Sequence, residues 1–162
     1  MELIVGENTY VTIDEATAYI EEHYSERDIL RVHWTVCPEE YKTMYLLRAL
    51  EEIEALPFVG RKTIFTNKLQ FPRTLENAPL YVMRSPIYLT YNYDSFKIPP
   101  QVKCAQIEDA IDGFIRASYR STKRAMVLNA LGLVPEDPAR TGKLSSQKAE
   151  RYLKPFLGTL KA

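Results

Sequence analysis

Three prolines, Pro72, Pro79 and Pro86, punctuate the middle of the chain and rule out a long helix there. Each would remove a helical hydrogen bond and drive its ring into the preceding turn. Residues 58–97 therefore read as irregular or extended. Within them, Tyr81-Val82-Met83 and Ile87-Tyr88-Leu89-Thr90-Tyr91 are β-prone enough for a hairpin or a long arm. A Pro-punctuated, aromatic excursion of this length is unusual inside a compact domain and more often reaches toward a partner. Tyr81, Tyr88, Tyr91 and Tyr93 are its candidate contacts with a sister subunit or another protein.

On either side of this break the apolar residues keep a helical period. Thr12 and Glu15 have the spacing of a capping box, and Ala16, Tyr19, Ile20 and Tyr24 follow on one face, opposite Glu15, Glu21 and Glu22. Ile29, Leu30, Val32, Trp34 and Val36 allow a short helix or an extended stretch, and we read helix or turn. Pro38-Glu39-Glu40 opens another helix, with proline at its start and acids in its first turn. Its apolar positions are Tyr41, Met44, Tyr45, Leu47, Leu50, Ile53 and Leu56, and Pro57 and Gly60 end it. Pro99-Pro100 starts a helix from Gln101 to about Tyr119, faced by Val102, Ala105, Ile107, Ala110, Ile111, Phe114 and Ile115. The stretch from Ser121 to Leu131 is its continuation or a separate helix. A polar linker, Glu136 to Lys143, leads to Ser145-Ser146-Gln147-Lys148, which caps a last short helix. The expected fold class is mainly α: a small helical bundle over residues 1–135 with an extended insertion at 74–97, then a linker and C-terminal arm at 136–162.

The chain has 162 residues, 46% hydrophobic and 26% charged, which suits one soluble domain. No apolar run approaches membrane-spanning length, and no basic segment precedes an apolar one at the N-terminus, so synthesis in the cytoplasm without membrane association is expected. Cys37 and Cys104 make no zinc-ligand array and read as buried, reduced thiols. Net charge is zero, but residues 1–55 hold 13 acids against 4 bases, residues 56–97 hold 6 bases against 2 acids, and residues 98–162 hold 11 bases against 6 acids. An acidic front and basic back suit packing between copies, unless the fold mixes these charges in space.

No motif supplies a catalytic constellation. Arg140-Thr141-Gly142-Lys143 lacks the glycines that would let backbone N–H groups surround a phosphate. His33 and Cys37 could share a helix face as metal ligands, but nothing marks a third. Glu51, Glu52 and Glu54 lie on different sides of one helix and read as solvated. A non-enzymatic protein needing no cofactor or metal is expected. Arg116, Arg120, Lys123 and Arg124 form one stripe beside Tyr119 and are the candidate DNA-facing residues, though such stripes are usually solvent-facing helix surface.

Several segments together resemble a phage family labelled DnaT-like single-stranded DNA-binding proteins, which overlaps the head–tail adaptors of tailed phages. They are Tyr10-Val11-Thr12-Ile13-Asp14-Glu15-Ala16 with Tyr19, and Leu47-Arg48-Ala49 through Ala55-Leu56-Pro57-Phe58-Val59-Gly60-Arg61-Lys62-Thr63. Gln70-Phe71-Pro72-Arg73, Ile98-Pro99-Pro100-Gln101-Val102-Lys103 with Ala105, and Tyr152-Leu153-Lys154-Pro155-Phe156-Leu157-Gly158 continue the resemblance. It implies a structural head–tail connector of the virion: a homo-oligomeric, twelve-fold ring that docks on the portal protein, meets a head-closure or tail protein and lets DNA pass through its channel. The alternative is a single-stranded DNA-binding protein of phage replication, against which stands the lack of net positive charge and of an aromatic groove with interleaved bases. Tyr152, Leu153, Pro155, Phe156 and Leu157 would then form the portal-binding arm, since apolar residues after a polar linker need a surface to cover them. Folding back onto the same domain is the other option for that segment.

Overall fold

The computed structural model describes residues 2–74, 94–113, 144 and 146–157. They form a mainly α domain whose helices are α1 (Ile13–His23), α2 (Ile29–Val36), α3 (Glu39–Glu54), α4 (Pro100–Ile111) and α5 (Gln147–Leu153). A short 3-10 turn, Lys154–Phe156, follows α5. Strands β1 (Arg61–Lys62) and β2 (Arg73–Thr74) pair antiparallel, with Arg61 opposite Thr74 and Lys62 opposite Arg73.

Local chemistry sets the helix starts. At α1 the Thr12 hydroxyl accepts the Glu15 N–H at 3.1 Å, and the Glu15 carboxylate accepts the Thr12 N–H at 2.9 Å, completing the capping box. Burial alone would raise the Glu15 pKa, but Lys103 at 2.6 Å and the Thr12 N–H outweigh it and hold the carboxyl below its ordinary value. The stretch with two sequence readings is helical, and Asp28 caps it through the Leu30 N–H at 2.9 Å. Pro100 stands in the first turn of α4, where a missing N–H costs nothing, and Ser146 caps α5.

Among the described residues helix α4 is central and packs most extensively on α5 and α3. Seven consecutive residues, Ala105 to Ile111, are buried, so the second half of this helix is enclosed on all sides. Gln106, Glu108 and Asp109 lie within that stretch, and each has partners. The Gln106 side chain accepts the Tyr10 N–H at 2.9 Å and donates to the Leu46 carbonyl at 2.8 Å and to Thr9 Oγ1 at 3.1 Å. Glu108 accepts from the Tyr19 hydroxyl at 2.7 Å and the Tyr24 hydroxyl at 2.6 Å. Lys148 reaches the Glu108 carboxylate at 3.6 Å and the Tyr24 hydroxyl at 3.0 Å, while Tyr152 meets Tyr19 at 3.2 Å. Burial, together with the hydrogen bonds to this carboxylate, pushes both the Tyr19 and Tyr24 phenols far up, so they remain protonated donors. The cluster fastens α1, α4 and α5 together.

Three expectations need correction. On α3 the expected Leu50 and Ile53 are buried, but Leu46 and Ala49 complete the buried face, while Tyr41 is exposed and Met44, Tyr45, Leu47 and, just past the helix, Leu56 are half-buried. Cys37 and Cys104 are free thiols but only half-buried. The segment expected to be a partner-binding arm folds back. Leu153 and Phe156 are fully buried, the Val59 N–H donates to the Phe156 carbonyl at 2.9 Å, and Phe58 bridges Leu157 antiparallel. Its apolar residues are covered by α4 and the Phe58–Phe71 region of the same chain, so Leu153 and Phe156 are not available to a portal; Tyr152, Pro155 and Leu157 are half-buried beside them.

The divided charge is also partly mixed in space, since Lys68 pairs with Glu7 at 3.0 Å and Lys103 with Glu15 at 2.6 Å. No described helix is long and apolar enough to cross a membrane.

Leu153 and Phe156 are each worth about 2–5 kcal/mol as core side chains, against a typical total of about 5–15 kcal/mol for a domain. A chain ending at residue 143 is therefore expected to lose its cooperative thermal transition in circular dichroism. Melting indistinguishable from the full-length chain would show that the segment is dispensable after all.

Candidate nucleic-acid interface

Residues 57–74, after α3, are held by a buried cation. Arg73, 6% exposed, donates through Nε to the Val59 carbonyl at 2.9 Å and through Nη2 to the Gly60 and Phe58 carbonyls at 2.7 and 3.3 Å. Its Nη1 donates to the Gln70 side chain, and its guanidinium lies 5.9 Å from the Phe58 ring centre. Beside it Phe71 meets Tyr10, Phe58 and Phe156 edge-on, with ring centres 6.1, 4.9 and 5.4 Å away. Glu54 closes the knot: its carboxylate accepts the Tyr10 hydroxyl and the Gln70 N–H at 2.9 Å. Desolvation raises the Glu54 carboxyl, and it also raises the Tyr10 phenol, with the neighbouring Glu54 charge adding to that rise. Glu54 is thus half-buried and engaged, correcting the reading of it as a solvated acid; Glu51 is exposed.

This knot fixes the base of a loop that projects outward. The Thr63 N–H donates to the Pro72 carbonyl at 3.1 Å, and the Asn67 N–H to the Ile64 carbonyl at 3.1 Å. Lys62 Nζ crosses the loop to the Asn67 carbonyl at 3.0 Å. Leu69 and Phe71 point inward, while Ile64 and Phe65 point out. A second loop joins the first where the Thr63 hydroxyl donates to the Ser95 carbonyl. There the Phe96 N–H donates to Asp94 Oδ1 at 2.9 Å and the Lys97 N–H to the Asp94 carbonyl at 3.2 Å, forming a tight turn.

That single contact places Phe65, 83% exposed, and Phe96, 73% exposed, on adjoining loops. Lys68 and Lys97 stand on the same two loops, with Arg61 and Lys62 on β1 at the base of the first. Solvated phenyl rings give up their hydrophobic stabilisation unless something covers them. Rings interleaved with cations suit a strand of stacked bases running between phosphates. The chain as a whole carries no net positive charge, but its segment 61–70 holds three cations and no acid. One available signal was that Phe65 and Phe96 sit among turn formers, Thr66-Asn67 and Asp94-Ser95, with no periodic apolar neighbours to share a core face.

Of the residues singled out from sequence, Arg116, Arg120, Lys123 and Arg124 lie outside the described residues, as do Tyr81, Tyr88, Tyr91 and Tyr93 and the Arg140–Lys143 segment. His33 Nε2 meets the Tyr45 hydroxyl at 3.3 Å, and burial raises the nearby Cys37 thiol. Among the described residues no three potential ligands gather as a metal site.

Fold and surface together define a small helical domain displaying an aromatic, basic loop face. The sequence pattern of the family described as "Putative DnaT-like ssDNA binding protein" matches residues 2–159, and the chain belongs to that family. No curated protein and no solved structure matches it.

If the Arg73 knot holds the loop base, Arg73→Met should destabilise the domain by about 2–4 kcal/mol by leaving buried carbonyls without a donor. The measurement is a urea midpoint, paired with limited proteolysis, which should find new cleavage between residues 60 and 70. An unchanged midpoint would mean that the carbonyls find other partners.

Proposed function

We propose that the protein binds single-stranded DNA without sequence preference through the face carrying Phe65 and Phe96, as a non-enzymatic binding protein that uses no cofactor. The observation that carries this reading is the exposure of those two rings among Arg61, Lys62, Lys68 and Lys97; membership of a family named for DnaT-like ssDNA binding supports it. The rings would stack on bases while the cations meet phosphates, giving affinity that falls with added salt as counterions are no longer released to advantage. Duplex DNA, whose bases are already stacked, offers the rings nothing comparable.

One observation favours a second reading, the structural connector of a tailed phage. Ile29, Val32 and Val36 form an exposed apolar stripe on the outer side of α2, with Tyr41 exposed just beyond it. A neighbouring subunit of a ring would cover that stripe, and the portal, the tail-side protein and the virion location belong to this reading alone.

Fluorescence anisotropy with a short labelled oligothymidylate tests the first reading. Phe65→Ala and Phe96→Ala are each expected to weaken binding by about 1–3 kcal/mol, or roughly 5- to 150-fold, with unchanged thermal stability. Wild-type protein that ignores the oligonucleotide at low salt, or alanine variants that bind as well as it does, would end that reading. For the connector, electron micrographs and sedimentation should show rings that Val32→Ser/Val36→Ser breaks into monomers. A wild type that sediments as a monomer at high concentration would remove it.

A further inference from the structure

Two lysines of the aromatic face already hold carboxylates. Lys68 Nζ lies 3.0 Å from Glu7 Oε2, and Lys97 Nζ lies 3.6 Å from Asp94 Oδ2, all four side chains being solvent-exposed. Neither acid sits there on a loose tether. Glu7 belongs to a compact N-terminal turn in which the Ile4 carbonyl accepts the Glu7 and Asn8 N–H groups, both at 3.1 Å, and the Gly6 N–H donates to the Thr9 carbonyl at 2.8 Å. Asn8 Oδ1 accepts the Ile4 N–H at 2.7 Å. Gly6 has φ +85, a conformation that a side chain would strain, so glycine lets the turn close. Thr9, next along, is fully buried and bonded to Gln106 in the core. Asp94 is equally fixed, because its other carboxylate oxygen accepts the Phe96 N–H at 2.9 Å.

We infer that Glu7 and Asp94 are built-in competitors for the DNA phosphates: each occupies, from a fixed turn, the cation that a phosphate must engage. The inference rests on the reading of this face as a single-stranded DNA site and names how its affinity is set. A phosphate reaching Lys68 or Lys97 displaces a carboxylate of like charge, which then stands beside the bound backbone and repels it. The face therefore holds DNA loosely, and the strand can exchange or move along it, because part of each phosphate contact only replaces an interaction the free protein already has. The stacking contributed by Phe65 and Phe96 is untouched by this exchange, so grip on bases and grip on backbone are separately adjustable.

The test uses Glu7→Gln and Asp94→Asn, which keep shape and the Asp94 oxygen that caps Phe96, measured singly and together by anisotropy with oligothymidylate across a salt series. Exposed ion pairs of this kind have strengths equivalent to about a 1.5- to 5-fold change each, so the double variant should bind roughly 2- to 25-fold tighter at low salt. The gain should shrink at high salt, where screening weakens both the pair and the repulsion. Adding Phe65→Ala to the double variant should lower affinity by the same factor as in the wild type. Wild-type binding that depends on Phe65 and Phe96 but is unchanged or weakened in Glu7→Gln/Asp94→Asn overturns the competitor role alone. Absence of binding by both wild type and double variant overturns the site reading and this inference with it.

Discussion

One buried amide sets how the pieces of this domain meet. Gln106 stands on α4 where an apolar residue would satisfy packing equally well, yet its carboxamide is shared among the Tyr10 backbone, Thr9 and the Leu46 carbonyl. Those groups come from the segment before α1 and from α3, so their register against α4 is fixed by direction as well as by contact. Unmade, each of these bonds would leave a polar group stranded in the core at a cost of roughly 1–3 kcal/mol. Apolar packing alone tolerates rotation and sliding of helices; this pattern of donors and acceptors does not. The position of the N-terminal turn, and hence of everything it carries to the surface, follows from it.

Three of the segments that carry the family resemblance meet at one point. Phe58, Val59 and Gly60, then Gln70, Phe71 and Arg73, then Phe156 and Leu157, come from three stretches of sequence and converge on the guanidinium of Arg73 and the ring of Phe71. Their role is to hold an irregular loop against the helices without regular secondary structure to do it. Two paired residues on each of β1 and β2 would be far too little alone. Such a knot can support many different loop tips, which is why the motif residues identify the scaffold while the exposed rings between them bear on function.

Helices were readable from the sequence because their signals are local. The Thr12–Glu15 box, the proline and acids at residues 38–40, Pro100 and Ser146 each act within a turn of where they stand. What escaped was non-local. Glu108 and Asp109 fall on a helix rich in polar residues; only Tyr19, Tyr24 and Lys148 around Glu108, and the Ser146 N–H donating to Asp109 at 3.0 Å, make their burial possible. The same holds for Leu153 and Phe156, whose partners lie far back in the chain, so they looked too few to be a core. Phe65 and Phe96 failed in the opposite sense: their isolation among turn formers was visible, but the Thr63–Ser95 contact that brings their loops together was not.

The antiparallel bridge between Phe58 and Leu157 spans most of the chain, and α4 cannot be enclosed until α5 lies on it. A chain that has emerged only as far as α4 still lacks one wall of its core. The loop bearing Phe65 acquires its shape among the last parts of the molecule, when residues 149–157 have cleared the exit tunnel. Until then the chain exposes the side of α4 that α5 will cover, so slow synthesis of the segment that brings α5 would lengthen its most vulnerable interval.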